Sequence, residues 1–296
     1  MEKRRRDAIL CLALAAAVAA PLVSAAGRGG AELRGSNFYS NCPFSHTSMD
    51  DPIVYPGEPG RSHAHTFFGN RSTDASSTRE SLSRATTTCK PGADKAAYWV
   101  PTLFQNGREV RPSKAQLYYV VRGYDRMRAF PAGLRVIAGD AHATQVQRTS
   151  VTYWACGGRA ARTRPMSLVP ARCRVIVGHG LAVGPDGKVH RVTWRTKTFL
   201  ELHVIFPDCW DGKHLDSADH QSHMAYSRNY RCPASHPVKM PRIRMMVRYP
   251  IDRGAGVALA SGGQLTAHAD FYNAWNERFL ERLVASCFHE RGCRPY

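Results

Sequence analysis

The chain has 296 residues, with 41 Lys or Arg against 23 Asp or Glu, and a formal net charge of +18. This length allows one large domain or two small ones, and the lack of an internal repeat or a Pro-rich linker favours one. The positive charge would attract polyanions. Because the basic residues are scattered rather than grouped in blocks, nucleic acid is not the expected partner.

The amino terminus resembles an export signal. Residues 1–7 are basic, and residues 8–21 are a short apolar run. Val23-Ser24-Ala25 has the small side chains that are typical of a signal-peptide cleavage site. We therefore expect a signal peptide over residues 1–25, a flexible leader over 26–36 and a single domain over 37–296. The apolar run is too short for a membrane span. The expected location is extracellular, with no membrane span in the mature chain.

The cysteine count agrees with export. The chain has nine cysteines, and removing Cys11 with the signal peptide leaves eight. An even number in an exported protein predicts four disulfides. Neighbours in sequence often pair, so the favoured bonds are Cys42–Cys89, Cys156–Cys173, Cys209–Cys232 and Cys287–Cys293. No Cys-x-x-Cys motif occurs, which argues against a thiolate zinc site.

Short strands are predicted along most of the chain. The runs are rich in β-branched and aromatic residues and are separated by turn sequences such as Asn106-Gly107. They are residues 98–104, 116–121, 134–137, 151–154, 174–177, 199–206 and 243–249. The expected fold is mainly β, a single-domain sandwich or jelly roll with long loops held by disulfides.

One helix is predicted at the carboxyl end. Phe271, Trp275, Phe279 and Leu283 are spaced four apart and would form an apolar stripe. Asp270 would be its N-cap.

Histidines and aspartates occur at spacings typical of a site. His63 and His65, like His268 and Asp270, are two residues apart, which places both side chains of each pair on one face of a strand. Asp211 and His223 lie in a segment that a disulfide would anchor, and such loops often carry sites. The alternative interpretations are structural hydrogen bonding for the histidines and helix capping for Asp270.

Several motifs together resemble a known family. They are Asp51-Pro52-Ile53-Val54-Tyr55-Pro56-Gly57, Ser62-His63-Ala64-His65, Tyr98-Trp99-Val100-Pro101-Thr102-Leu103, Phe130-Pro131-Ala132-Gly133-Leu134, Phe206-Pro207-Asp208-Cys209-Trp210-Asp211-Gly212, Ser222-His223-Met224-Ala225-Tyr226, Cys232-Pro233 and His268-Ala269-Asp270-Phe271-Tyr272-Asn273-Ala274-Trp275. In this order they resemble the secreted domain-of-unknown-function family nineteen-ninety-six of fungi and actinobacteria.

The resemblance covers nearly the whole expected mature chain, and it brings no established activity. It implies a recurring set of His63, His65, Asp211, His223, His268 and Asp270. His220 stands where fungal relatives differ, so it is left out of the expected site.

Two chemistries suit these residues. Imidazoles with a carboxylate bind divalent transition metals such as zinc or copper, and we expect His63, His65 and His223 as metal ligands. A bound metal would make hydroxide from water. Without a metal, a histidine paired with Asp211 would act as a general acid or base.

The sequence favours an enzyme that cleaves a glycosidic bond of an extracellular polysaccharide or cell-wall polymer, by hydrolysis or elimination. The first alternative is a non-catalytic carbohydrate- or wall-binding module, since five Trp and twelve Tyr could stack on sugars. The second is a secreted metal-dependent nuclease or other polyanion-cleaving enzyme. A Ser hydrolase elbow, a P-loop and a dinucleotide fingerprint are absent from the sequence.

The first prediction concerns processing and redox state. The intact mass of protein collected from the culture medium should correspond to a start near Ala26. It should also be lower than that of the reduced form by the eight hydrogens that four disulfides remove. A free thiol detected after unfolding without reductant would contradict the four predicted bonds.

Overall fold

The apolar runs form strands in the computed structural model, which describes residues 37–121, 126–158 and 161–289. The expected signal peptide and leader lie outside these residues. The strands, in chain order, are β1 (Asn37–Ser48), β2 (His65–Gly69), β3 (Ala97–Pro101), β4 (Leu103–Gln105), β5 (Arg108–Glu109), β6 (Lys114–Val120), β7 (Arg135–Gly139), β8 (Thr152–Gly157), β9 (Ile176–Val183), β10 (Val189–Thr196), β11 (Phe199–Ile205), β12 (Cys209–Trp210), β13 (Met224–Ala225), β14 (Val238–Lys239), β15 (Arg242–Arg248), β16 (Val257–Leu259) and β17 (His268–Tyr272). The helices are α1 (Arg79–Arg84) and α2 (Glu277–Val284), and a π-helical turn (Ala285–His289) follows α2.

Nine strands form one antiparallel sheet in the order β7-β17-β3-β2-β1-β6-β15-β11-β8. Strand β1 joins its two halves. The first part of β1 pairs with β6, the second part pairs with β2, and the register shifts between Phe44 and His46. A shift of this kind bends a strand. The sheet therefore consists of two halves that share β1.

The two halves pack face to face around a common core. Tyr98 of β3 and Tyr119 of β6 belong to different halves, and their hydroxyl oxygens are 2.5 Å apart. The indole nitrogen of Trp275 donates a hydrogen bond of 2.9 Å to the Tyr119 hydroxyl. Phe206 and Phe271 make an edge contact in the same core. The predicted mainly β fold with a sandwich-like core and a C-terminal helix is confirmed.

Strands β2, β3 and β17 are buried on both faces. Alternate side chains point to opposite faces of a strand. Phe68 therefore belongs to the main core, whereas its neighbour Phe67 belongs to a second apolar cluster on the outer face. Ile53 of the segment after β1 and Leu82 of α1 cover that cluster. Polar residues on the outer face of these strands are consequently shielded from water.

All seven predicted strands overlap observed ones. The predicted helix begins later than expected, because α2 starts at Glu277 and its N-cap is Asn276, whose side chain accepts from the Phe279 amide at 3.0 Å. The prediction that Asp270 caps the helix is therefore wrong. It lies in the middle of β17, where it pairs with Trp99. The spacing of Phe271 and Trp275 does not reflect a helix, since Phe271 is also in β17.

Three disulfides match the predicted pairs, Cys42–Cys89, Cys156–Cys173 and Cys209–Cys232. The fourth predicted pair includes Cys293, which lies outside the described residues. Within the described part of the chain, no helix combines the length and the apolar character that crossing a membrane requires.

A buried carboxyl lies beside the core tyrosines. Asp94 is fully buried and accepts hydrogen bonds from the Tyr98 hydroxyl at 3.0 Å and the Ala96 amide at 3.2 Å. Burial raises the pKa of Asp94 to about 7, since the hydrogen bonds offset only part of the desolvation. The folded protein therefore holds a proton here at pH values where the unfolded chain has lost it.

This difference predicts a pH dependence of stability. Between about pH 4 and pH 7 the folded state binds more protons at Asp94 than the unfolded state, so the free energy of unfolding falls as pH rises. Asp94→Asn should remove this contribution, and urea unfolding at about pH 5 and about pH 8 should show a smaller fall than in wild type. Glu281→Gln, at an exposed carboxyl, is the control and should follow wild type. Equal falls in all three proteins would contradict the assignment.

Candidate functional site

A cleft of about 230 Å³ opens beside the outer face of β7 and β17. Three parts of the chain form its walls: the segment after β1, the strands β7 and β17 with the loop after β7, and the segment held by Cys209–Cys232. The lining residues are Asp51, Val54, Tyr55, Ser62, His63, Ile137, Asp140, Ala141, His142, Asp219, His220, Gln221, His268 and Asp270.

Two histidines meet above β3. His65 is on β2 and His268 is on β17, the two strands that flank β3. Their Nε2 atoms are 3.5 Å apart. Gly139 pairs with His268, and a Cβ at Gly139 would lie 2.4 Å from the Ala267 carbonyl oxygen and 2.8 Å from the His268 Cα. Only glycine therefore permits this approach of β7 to β17.

Backbone carbonyls determine the tautomer of both rings. The Nδ1 of His65 is 3.0 Å from the Asp50 carbonyl oxygen, and the Nδ1 of His268 is 2.9 Å from the Thr266 carbonyl oxygen. A carbonyl oxygen can only accept, so each Nδ1 carries the hydrogen and donates it. In a neutral ring the Nε2 then has a lone pair. Two lone pairs thus face each other and cannot bond without a proton or a cation between them.

His63 completes a group of three imidazoles. Its ring centre is 4.2 Å from that of His65 and 5.1 Å from that of His268. The Nε2 of His63 is buried and has no hydrogen-bond partner among the described residues. One nitrogen from each ring lies within 4.8 Å of the others. Nitrogens bound to one tetrahedral zinc are about 3.4 Å apart. The three rings are therefore close to the geometry of a metal site.

Two carboxyl groups adjoin the histidines. Asp270 is 1 % exposed, and its Oδ2 is 3.9 Å from the His268 Nε2 and has no hydrogen-bond partner among the described residues. The Oδ1 of Asp51 accepts from the Ile53 and Val54 amides at 2.9 and 3.0 Å. Carboxylate oxygens of Asp51 and Asp270 and a nitrogen of His65 lie within 4.8 Å of one another.

Burial disfavours the charged forms of these groups in the protein alone. Desolvation lowers the pKa of His63 and of His268 to about 4, and that of His65 well below its ordinary value. Desolvation, together with the nearby Asp51, raises the pKa of Asp270 well above its ordinary value. At neutral pH the three imidazoles are neutral, which is the form that binds metals.

A histidine–aspartate pair lies at the rim of the cleft. The Nδ1 of His220 is 3.0 and 3.1 Å from the two oxygens of Asp216, which also pairs with Arg135 at 3.1 Å. His220 has a φ of +55°, in the left-handed region that non-glycine residues rarely occupy. Such strain often marks functional positions. This pair has the geometry of an oriented acid or base.

The structure brings together only part of the expected set. His63, His65, His268 and Asp270 form one cluster, whereas Asp211 and His223 do not line the cleft. Asp211 accepts from the Lys213 and His214 amides and stabilises a turn.

His223 has both ring nitrogens occupied, at 2.6 Å from the Arg135 carbonyl oxygen and 2.9 Å from the Ser217 hydroxyl. Asp211 and His223 therefore do not converge with the other histidines, contrary to the prediction. His223 also has no free nitrogen for the metal that we expected it to bind.

Asp51 and His220 line the cleft but were not expected as site residues from the sequence. Asp51 belongs to the first family motif, but it is followed by Pro52 and has no ligand-like spacing to a histidine. His220 was left out because relatives differ there. Neither residue lies on a strand, so no period of two could connect them to His268 or Asp270.

The fold and site thus define a β-sandwich protein with a buried His/Asp cluster at the floor of a cleft. The family model for a domain of unknown function, DUF1996, matches residues 51–275, and the chain belongs to this family. The matched region includes every residue that lines the cleft. Comparison with curated proteins and with solved structures gave no match.

The contacts of His223 predict a structural role. His223→Ala would remove a buried ring that bonds both the Arg135 carbonyl and the Ser217 hydroxyl, so the free energy of unfolding should fall by about 2 kcal/mol. His179→Ala, at an exposed position of β9, should change it by less than about 0.5 kcal/mol. Urea titrations of both variants measure the difference, and an equal effect of the two substitutions would contradict the role.

Proposed function

We propose that His63, His65 and His268 bind a divalent transition metal through their Nε2 atoms, with Asp270 close enough to contribute an oxygen ligand. The observation that carries this proposal is a set of three imidazole nitrogens within 4.8 Å of one another. The Nε2 lone pairs of His65 and His268 face each other, and the Nε2 of His63 has no hydrogen-bond partner among the described residues. The two carbonyl-bound Nδ1 atoms support it further, because metal-binding histidines usually donate their other N–H to an oxygen.

We further propose that the protein is secreted and acts on an extracellular polysaccharide. The disulfides support an oxidising location. The cleft supports access for a chain-like substrate, since His142, Asp219 and Gln221 on its walls are exposed to solvent and Tyr55 offers a partly exposed ring. A metal bound at its floor would supply a Lewis acid and a water of lowered pKa.

His220 has a role in this proposal as the general acid or base. Asp216 holds its Nδ1, which leaves the other ring nitrogen to exchange a proton with a substrate oxygen or carbon. In hydrolysis, water would add across the glycosidic bond, and the leaving oxygen would take up a proton. In elimination, the base would remove a ring proton as the glycosidic oxygen departs.

Metal binding can be measured directly. Protein freed of metal with a chelator should take up about one zinc, copper or manganese ion per chain in calorimetry and elemental analysis. His268→Ala should weaken this binding roughly 100-fold or more, whereas His179→Ala should bind like wild type. Uptake that is unchanged in His268→Ala would contradict the site.

Activity is tested separately with the metal-loaded protein on a panel of polysaccharides. New reducing ends would show hydrolysis, and absorbance of unsaturated products would show elimination. His220→Gln should bind metal normally and lose activity by roughly 100-fold or more. Binding of a polysaccharide without any product would instead favour the carbohydrate-binding alternative.

A further inference from the structure

A second cleft, of about 590 Å³, is lined by different residues from the first. Its lining residues are Arg148, Ser150, Val151, Ala225, Tyr226, Ser227, Arg228, Pro233 and Arg242. Three of them are arginines, and none is an aspartate or a glutamate. The chemistry of this lining therefore favours an anionic ligand.

The floor of this second cleft has more positive than negative charge. Arg242 donates from Nη2 to Asp208 at 2.7 Å and to the Ser227 hydroxyl at 2.8 Å. The other oxygen of Asp208 accepts from Lys239 at 2.9 Å. One buried carboxylate thus faces two cations. Arg242 itself lines the cleft, so its guanidinium adds positive charge there.

Two further arginines lie at the rim, and both are exposed. Within the described part of the chain, neither Arg148 nor Arg228 forms an ion pair through its side chain. Arg228 is held by a tight turn, since its amide and carbonyl bond to those of Arg231 at 2.9 and 3.0 Å. The Cys209–Cys232 disulfide closes the segment that contains this turn. At least one rim guanidinium is thus carried by a well-fixed backbone.

The remaining lining is partly apolar. Val151, Pro233 and the ring of Tyr226 supply nonpolar surface, and the Tyr226 hydroxyl donates to the Ile205 carbonyl at 2.8 Å. Guanidinium groups bind carboxylates through paired hydrogen bonds. Nonpolar surface suits the ring of a sugar. A cleft that combines both matches an acidic sugar better than an isolated ion.

We propose that this second cleft binds a uronic acid unit of an acidic polysaccharide, with Arg148, Arg228 and Arg242 facing its carboxylate. The proposal rests on the proposed function only in taking the ligand to be a saccharide, and it names the class of polymer. It does not depend on metal binding, since the residues of the two clefts do not overlap.

The experiment measures binding of an oligogalacturonate to the full chain by calorimetry, with metal removed and at moderate salt. The matched probes are a neutral oligosaccharide of equal length and inorganic sulfate. The test variant is Arg148→Gln with Arg228→Gln. The control is Arg191→Gln with Arg195→Gln, which removes the same charge from exposed positions of β10.

We expect saturable binding of the oligogalacturonate to the wild-type protein. The test variant should weaken this binding about tenfold or more, and the control should weaken it less than about twofold. Equal weakening in both variants would show general charge attraction and overturn the site. Comparable binding of the neutral oligosaccharide, or sulfate binding as tight as that of the oligomer, would overturn a uronate-specific cleft.

His268→Ala separates this proposal from the metal site. It should bind the oligogalacturonate like wild type even though its metal binding is lost. If the protein binds no metal but still binds the saccharide, the proposed function alone is rejected. If it binds metal but not the saccharide, this inference alone is rejected.

Discussion

Burial of β2, β3 and β17 on both faces is the constraint on which the site depends. An exposed face of a sandwich leaves its polar side chains in water. Here Ile53 and Leu82 cover the outer face, so His65, His268 and Asp270 lose their hydration. Buried polar groups need partners. For the facing Nε2 atoms the nearest groups are other Nε2 atoms, and neutral imidazoles cannot satisfy one another in this arrangement.

The segment closed by Cys209–Cys232 connects the two clefts. It contributes Asp219, His220 and Gln221 to the first and Ala225–Arg228 to the second. Its start is fixed by Asp208, which accepts from the Ser227 amide as well as from Lys239 and Arg242. Removing one partner of such a buried ion pair is strongly destabilising. The segment is thus a well-supported loop rather than a loose connection.

The sequence predicts those parts of the fold and site that have a regular period. His268 and Asp270 were grouped correctly because a strand repeats every two residues and both lie on β17. His63 also lies close to His65, but the predicted shared strand is wrong there, since β2 begins at His65 and His63 precedes it. Strand β1 was missed because its buried positions, Phe38, Ser40 and Cys42, are not all apolar and Pro43 interrupts the pattern. Strand β10 was missed because it is mostly exposed, and among the described strands it pairs with β9 alone.

Loop residues were predicted less well. His223 and His220 both lie in the disulfide-held segment, and no period tells which one faces the cleft. Their hydrogen bonds distinguish them: the ring of His223 is fully occupied, whereas His220 uses only Nδ1 toward Asp216. The turn that gives His220 its positive φ is a property of the folded loop, and the histidine itself does not favour that conformation.

Charge balance gives a further reason to favour a dication at the first cleft. Three neutral imidazoles carry no charge, and Asp51 and Asp270 together carry two negative charges when ionised. Without a cation, desolvation raises the pKa of Asp270 and the nearby Asp51 raises it further, so ionisation of both groups together is disfavoured. A divalent ion would neutralise both, allow Asp270 to ionise, and occupy the point at which the Nε2 lone pairs face each other. The same ion would therefore relieve the electrostatic repulsion and the missing hydrogen bonds together.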